Sequence, residues 1–195
     1  NASSIIYGNL EVLENIPSMD RCTLPMKEVE TLYFTRLWTL LGSLEERGLS
    51  VPLEGEDARF FRNQMAKSIL AVVDIKLLLV GDYHPSYKKR VEVFKTHFAE
   101  LRELHKLADW ALAEKIRPQS YSMTSAEVNE LYDQVLTIYI NEMYKALSIY
   151  YKRKVETPAH IEKHLKWSFM NLVKRIGWIL IKKNRVREKM ISLRI

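Results

Sequence analysis

The 195-residue chain has little of what builds disulfide-rich, loop-rich or membrane-spanning proteins. It holds one cysteine, Cys22, which excludes an internal disulfide framework and zinc sites built from several cysteines. Six glycines and six prolines are few for an all-β fold, whose turns depend on them. No uncharged apolar run reaches the ~20 residues that a membrane-spanning helix needs. These absences favour a cytoplasmic, helical protein with no transmembrane segment.

Charge is distributed unevenly along the chain. The net charge is +6, yet the segment from Lys163 to Ile195 carries +9 and the remainder carries −3. Such a basic segment is typical of proteins that meet nucleic acid, an anionic membrane or an acidic partner, and equally of a solvated helix face. One hypothesis is therefore a helical protein-interaction module with a basic last helix.

Apolar residues recur at helical spacing through most of the chain, and no useful alternating pattern indicates a strand. The pattern predicts an all-α bundle of about five helices with short connections. The expected helices run from Met26 to Arg47, Gly55 to Val80 and Pro85 to Lys115, and two more begin at Thr124 and Thr157. The second half of the second helix is apolar on nearly every side, so we expect it to be the central buried helix.

Local signals mark several boundaries. Gly81 is placed to end the second helix, and Thr124 with Glu127 fits a capping box at the start of the fourth. Residues 1–25 contain helix-breaking glycine and prolines and read as an irregular lead-in from a missing upstream domain. Residues 26–195 are predicted to form a single helical bundle domain.

Charged residues interrupt the apolar second helix. Lys67 lies seven residues before Asp74, so both occupy the same helix face. A charge inside a buried helix is costly unless it is paired. One interpretation is a ligand-facing wall; the other is a structural ion pair to a neighbouring helix, for example Arg36 with Asp74.

The elbow GDYHPSYKKR joins the second and third helices. It combines the phenols of Tyr83 and Tyr87 with the cations Lys88, Lys89 and Arg90 at a helix start. Helix N-termini favour anions, and phenols with cations can hold a phosphate or a sugar ring. The elbow is therefore a candidate binding site, and the alternative is a corner where both tyrosines pack.

Arg90 and His97 lie seven residues apart, two turns along one helix face. An arginine that holds a phosphate near a histidine acting as general base could cleave RNA. These two residues are the catalytic candidates of the ribonuclease alternative.

Three segments carry a resemblance to a known group. They are SSIIYGNLEVLENIP (Ser3–Pro17), LYFTRLWTLL (Leu32–Leu41) and MAKSILAVVDIKLLLVGDYHPSYKKRVEVF (Met65–Phe94). The first two resemble the segment that joins the catalytic palm to the helical domain in a bacterial and archaeal group of nucleotidyltransferase-like proteins. The third is similar to that group in its Asp within an apolar helix, its Gly-x-Tyr and its Ser-Tyr-x-x-Arg. The resemblance covers about half of the chain.

The resemblance implies a C-terminal helical domain that sits beside a catalytic palm of the same polypeptide and binds its substrate. The palm's Gly-Ser turn and paired aspartates are absent, because Gly42-Ser43 lies inside a predicted helix. The domain is then non-catalytic and holds no cofactor, and magnesium and nucleotide are implied only for the upstream domain. The substrate-binding residues implied are Lys67, Asp74, Tyr83, Tyr87 and Arg90.

Such helical domains are related in shape to HEPN bundles, which gives the second interpretation. It implies an RNA-binding or ribonuclease bundle in which Arg90 and His97 share a basic groove at a homodimer seam. HEPN ribonucleases place four to six residues between the two; here Val91 replaces the usual polar residue after the arginine. Nucleotide and RNA are thus the two ligand classes that the sequence indicates.

Overall fold

A computed structural model of the chain describes residues 27–45, 51–119 and 121–162. In chain order these residues form α1 (Lys27–Glu45), β1 (Leu53–Glu54), α2 (Gly55–Val80), α3 (Tyr87–His97), α4 (Arg102–Ile116), β2 (Tyr121–Met123), α5 (Ser125–Tyr151) and α6 (Pro158–Glu162). The predicted all-α class is confirmed. The predicted lead-in over residues 1–25 lies outside the described residues. Among the helices described, none combines the length and the apolar character needed to cross a membrane.

Helix α2 is the centre of the bundle, as its apolar sequence predicts. It contacts α1, α3, α4 and α5, and its residues Ile69–Val73 are all buried. The helix ends at Gly81, whose φ of 72° is the left-handed conformation that glycine adopts without steric cost. Its N–H bonds to the carbonyls of Leu77 and Leu78, which satisfies the open end of the helix.

Helix α5 begins as predicted. The Thr124 hydroxyl accepts a hydrogen bond from the Glu127 N–H, and the Glu127 carboxylate accepts one from the Thr124 N–H at 2.7 Å. This reciprocal capping box satisfies two amides that the helix start leaves open. Helix α5 packs on α2 and α1, and its buried residues include Val128, Val135, Tyr139, Met143 and Ala146 at helical spacing.

The prediction of one helix from Pro85 to Lys115 is wrong. The first part, α3, begins at Tyr87 behind the N-cap Ser86, and a turn at residues 98–100 separates it from α4. At the turn the Phe98 carbonyl is bonded by the Leu101 N–H at 3.0 Å and by His105 Nε2 at 2.8 Å. No glycine or proline marks this break. The two hydrogen bonds to the Phe98 carbonyl replace helical hydrogen bonds that are lost at the turn, and α4 packs along α2.

The structure adds two short strands that the sequence pattern does not indicate. Leu53 pairs with Met123 and Glu54 with Ser122 in a short antiparallel ladder. The ladder places the start of α2 beside the start of α5. Two strands of two and three residues show too little alternation to be recognised in a sequence.

The chain divides into two compact units after Arg153. Of the second unit the structure describes residues 154–162, where α6 begins at Pro158 as predicted. Residues 163–195, including the basic segment, lie outside the described residues. The prediction of a single domain over residues 26–195 therefore stays a prediction.

Candidate functional site

Ion pairs join α2 to three neighbouring helices. The pairs are Arg62 with Glu114 of α4 at 2.5 Å, Asp74 with Arg90 of α3 at 2.5 Å, and Lys76 with Glu142 of α5 at 2.6 Å. In all three pairs both side chains are less than a fifth exposed. A buried pair is costly to desolvate, so these three pairs add less net stability than their short distances suggest.

The second pair lies directly beneath the elbow. Asp74 Oδ2 contacts Arg90 Nη1, and the same nitrogen donates a hydrogen bond to the Tyr83 hydroxyl at 2.8 Å. Arg90 is 4% exposed. The sequence interpretation that paired Asp74 with Arg36 named the wrong partner, because α3 brings Arg90 onto the carboxylate and Arg36 acts from further away.

Burial decides the ionisation of Asp74. Desolvation raises the pKa of its carboxyl to about 6, although the charge and hydrogen bond of Arg90 and the charge of Arg36 act in the opposite direction. The second carboxylate oxygen, Oδ1, is buried and meets no hydrogen-bond donor among the described residues. One carboxylate oxygen is therefore buried without a donor among the described residues, which disfavours the ionised form.

Tyr87 is the more exposed of the two elbow tyrosines. The residue is 38% exposed, and its ring centroid lies 4.0 Å from the Arg90 guanidinium carbon and 5.7 Å from Lys115 Nζ. Both distances are within the range of cation–π attraction. The ring therefore covers the buried Arg90 and is held beside a lysine that α4 supplies.

Lys115, which lies beside this ring, also acts electrostatically on Lys67 of α2. Burial lowers the pKa of Lys67, and the like charges of Lys115 on α4 and Arg36 on α1 lower it further. Within the described ranges, no carboxylate lies at ion-pair distance from any of these three cations. We call Arg36, Lys67, Tyr87 and Lys115 the cationic face.

The structure thus separates the five residues predicted from sequence into two layers. Asp74, Arg90 and Tyr83 form a bonded, largely buried layer, whereas Tyr87 and Lys67 belong to the more accessible cationic face. Sequence reasoning missed Lys115, because nothing local distinguishes a lysine in the last turn of a helix from any solvated lysine. Arg36 was named only as an ion-pair partner.

Arg90 and His97 stand in different surroundings. His97 is exposed and its Nε2 lies 2.8 Å from Asp82 Oδ2, whereas Arg90 is buried on Asp74 and Tyr83. Because the guanidinium is already occupied and covered by Tyr87, it does not present a phosphate site beside His97. These contacts do not favour the ribonuclease alternative.

No protein-family model, no curated protein and no solved structure matches the chain.

Proposed function

We propose that the described helices form a non-catalytic, helical substrate-binding domain of a larger nucleotidyltransferase-like protein, and that the cationic face holds its phosphate-bearing ligand. The observation that carries this proposal is the exposed Tyr87, whose ring centroid lies 4.0 Å from the Arg90 guanidinium carbon of α3 and 5.7 Å from Lys115 Nζ of α4. The affiliation with nucleotidyltransferase-like proteins rests on the sequence resemblance.

Charge supports an anionic ligand. The face and the layer beneath it contain four cations and one carboxylate, which leaves a formal net charge of +3 when Asp74 is ionised. Like charges repel, so bringing them together is unfavourable until an anion neutralises them. A ligand with two or more negative charges would relieve that repulsion and would be attracted from solution by the combined field.

Tyr87 supports a ligand that also has a planar part. Arg90 and Lys115 hold the ring in place, so its accessible part offers a stacking surface at little cost in side-chain entropy. A nucleotide supplies both features, with phosphates for the lysines and a base for the ring. Catalysis, with its magnesium ion, would be performed by the upstream palm domain that the resemblance implies.

Titration of the ¹⁵N-labelled chain with tripolyphosphate and with ATP, without magnesium, tests the proposal. We expect saturable shifts centred on the cationic face. Lys67→Gln and Lys115→Gln should each weaken both ligands by about fivefold, the factor that corresponds to ~1 kcal/mol for a surface charge pair. Tyr87→Ala should weaken ATP more than tripolyphosphate.

Lys106→Gln is the matched control, since Lys106 lies on α4 with Lys115 but is exposed and paired with Glu103. It removes the same charge and should leave both affinities unchanged. Equal weakening by Lys106→Gln, or no saturable binding, would contradict the proposal. Its wider part is tested by the reading frame upstream of Ser3, which should encode a palm with a Gly-Ser turn and paired aspartates.

A further inference from the structure

The guanidinium of Arg90 contacts both tyrosines of the elbow. Its carbon lies 4.0 Å from the ring centroid of Tyr87 and 4.9 Å from that of Tyr83. Both distances are within the range of cation–π attraction. Arg90 is 4% exposed and Tyr87 is 38% exposed, so the guanidinium is the buried support of the more accessible ring.

Polar contacts at one nitrogen orient this guanidinium. Arg90 Nη1 lies 2.5 Å from Asp74 Oδ2 and donates a hydrogen bond to the Tyr83 hydroxyl at 2.8 Å. Arg90 Nε is buried and meets no hydrogen-bond acceptor in the part of the chain that the structure describes. The orientation of the guanidinium under Tyr87 therefore depends on Asp74 and on the hydroxyl of Tyr83.

We propose that Tyr83 is a positioning residue of the cationic face: its hydroxyl holds the Arg90 guanidinium under Tyr87, and this sets the preference of the face for a nucleotide over a polyphosphate that has no base. This inference rests on the proposed function and deepens it. Tyr83 acts on the ligand through Arg90 and Tyr87, whereas the sequence alone indicated a residue that touches the ligand.

The effect of Tyr83 falls on the base of the ligand. A ring that is already held in place loses little freedom when a base stacks on it, whereas a ring whose support can turn must be ordered as the ligand binds. Phosphates that bind to the lysines do not need the ring. Loss of the Tyr83 hydroxyl should therefore weaken a nucleotide about fivefold, the factor that corresponds to ~1 kcal/mol for ordering one side chain.

The experiment compares the affinities of wild type and Tyr83→Phe for ATP and for tripolyphosphate by NMR titration without magnesium. Phenylalanine keeps the ring beside Arg90 and removes only the hydroxyl. We expect ATP to bind about fivefold more weakly to Tyr83→Phe and tripolyphosphate to bind as it does to the wild type. In a Tyr87→Ala background, Tyr83→Phe should have no further effect on ATP, because the ring that it positions is gone.

Tyr139→Phe is the matched control. The Tyr139 hydroxyl also makes a hydrogen bond between elements, since it donates to the buried Tyr33 carbonyl at 2.6 Å and joins α5 to α1. Its loss should lower the free energy of unfolding and leave the ratio of the two affinities unchanged. A merely structural role for Tyr83 would likewise leave that ratio unchanged.

Three results would overturn this inference and leave the proposed function standing. They are an unchanged ATP affinity in Tyr83→Phe, equal weakening of ATP and tripolyphosphate, and an effect of Tyr83→Phe that persists at full size in the Tyr87→Ala background. Absence of saturable binding of both ligands to the wild type would overturn both.

Discussion

Replacing Asp74 by asparagine should make the protein more stable relative to the wild type as the pH rises towards neutral, although it removes one half of a buried ion pair. The reason lies in the balance at this site. Desolvation outweighs the attraction of Arg90, so the folded state binds the proton of Asp74 more tightly than the unfolded chain does. The stabilising contribution of this group is therefore fully present below the unfolded pKa of about 4 and is lost as pH rises through about 6.

The magnitude follows from the shift in pKa. A rise from 3.8 to about 6 is about two units, which corresponds to about 3 kcal/mol once both states are ionised. Because the unfolded chain is already partly ionised at pH 4, about 2 kcal/mol of this change falls between pH 4 and pH 7.5. Asparagine cannot ionise, so the free energy of unfolding of Asp74→Asn minus that of the wild type should increase by this amount.

Urea unfolding of both proteins at half-unit pH intervals measures that difference. Taking the difference cancels the titration of all other groups that the substitution leaves unchanged. The Asp109→Asn variant serves as control, since the exposed pair of Asp109 with Lys95 should change the difference by less than ~1 kcal/mol over the range. A difference that stays flat, with Asp74→Asn less stable at pH 7.5, would show that the ionised bridge is net stabilising and would refute the reasoning.

Two further predictions concern the helices that position the site. Thr124→Ala should lower the free energy of unfolding by about 1 kcal/mol because it removes the capping box of α5, whereas Thr137→Ala in the exposed middle of that helix should not destabilise. Glu142→Gln should cost about 3 kcal/mol because it leaves the buried ammonium of Lys76 without its counter-ion, and Glu103→Gln, at an exposed pair, should cost less than ~1 kcal/mol. Urea unfolding at pH 7 measures the free energy of unfolding of all four variants and of the wild type.

A different result would contradict each of these two predictions. Equal effects of the two threonine variants would mean that the cap adds nothing beyond helix propensity. For Glu142, two lysines lower the pKa of the carboxyl even though burial raises it, so its stability contribution is present at neutral pH and lost on acidification. A Glu142→Gln cost that grows as pH falls would contradict that sign.

The sequence by itself determined the helix starts and ends that depend on residues close together in the chain. The bounds of α2 follow from an apolar helical stretch closed by Gly81, and the start of α5 follows from Thr124 and Glu127. In each case the helix start or end depends on groups within a few residues of one another, so no knowledge of packing is needed. The all-α class and the burial of Ile69–Val73 follow from apolar periodicity alone.

The tertiary structure decided everything that depends on how helices are rotated against one another. The turn after His97 exists because Phe98 and His105 meet across it, and the strands exist because residues 53 and 123 pair across seventy positions. The same holds for the site. Sequence placed Asp74 and Arg90 among the candidates, but only packing paired them beneath Tyr87 and brought Lys115 to the same ring. Periodicity defines which face of a helix is buried, whereas the partner that the face meets is set by side-chain packing across the whole bundle.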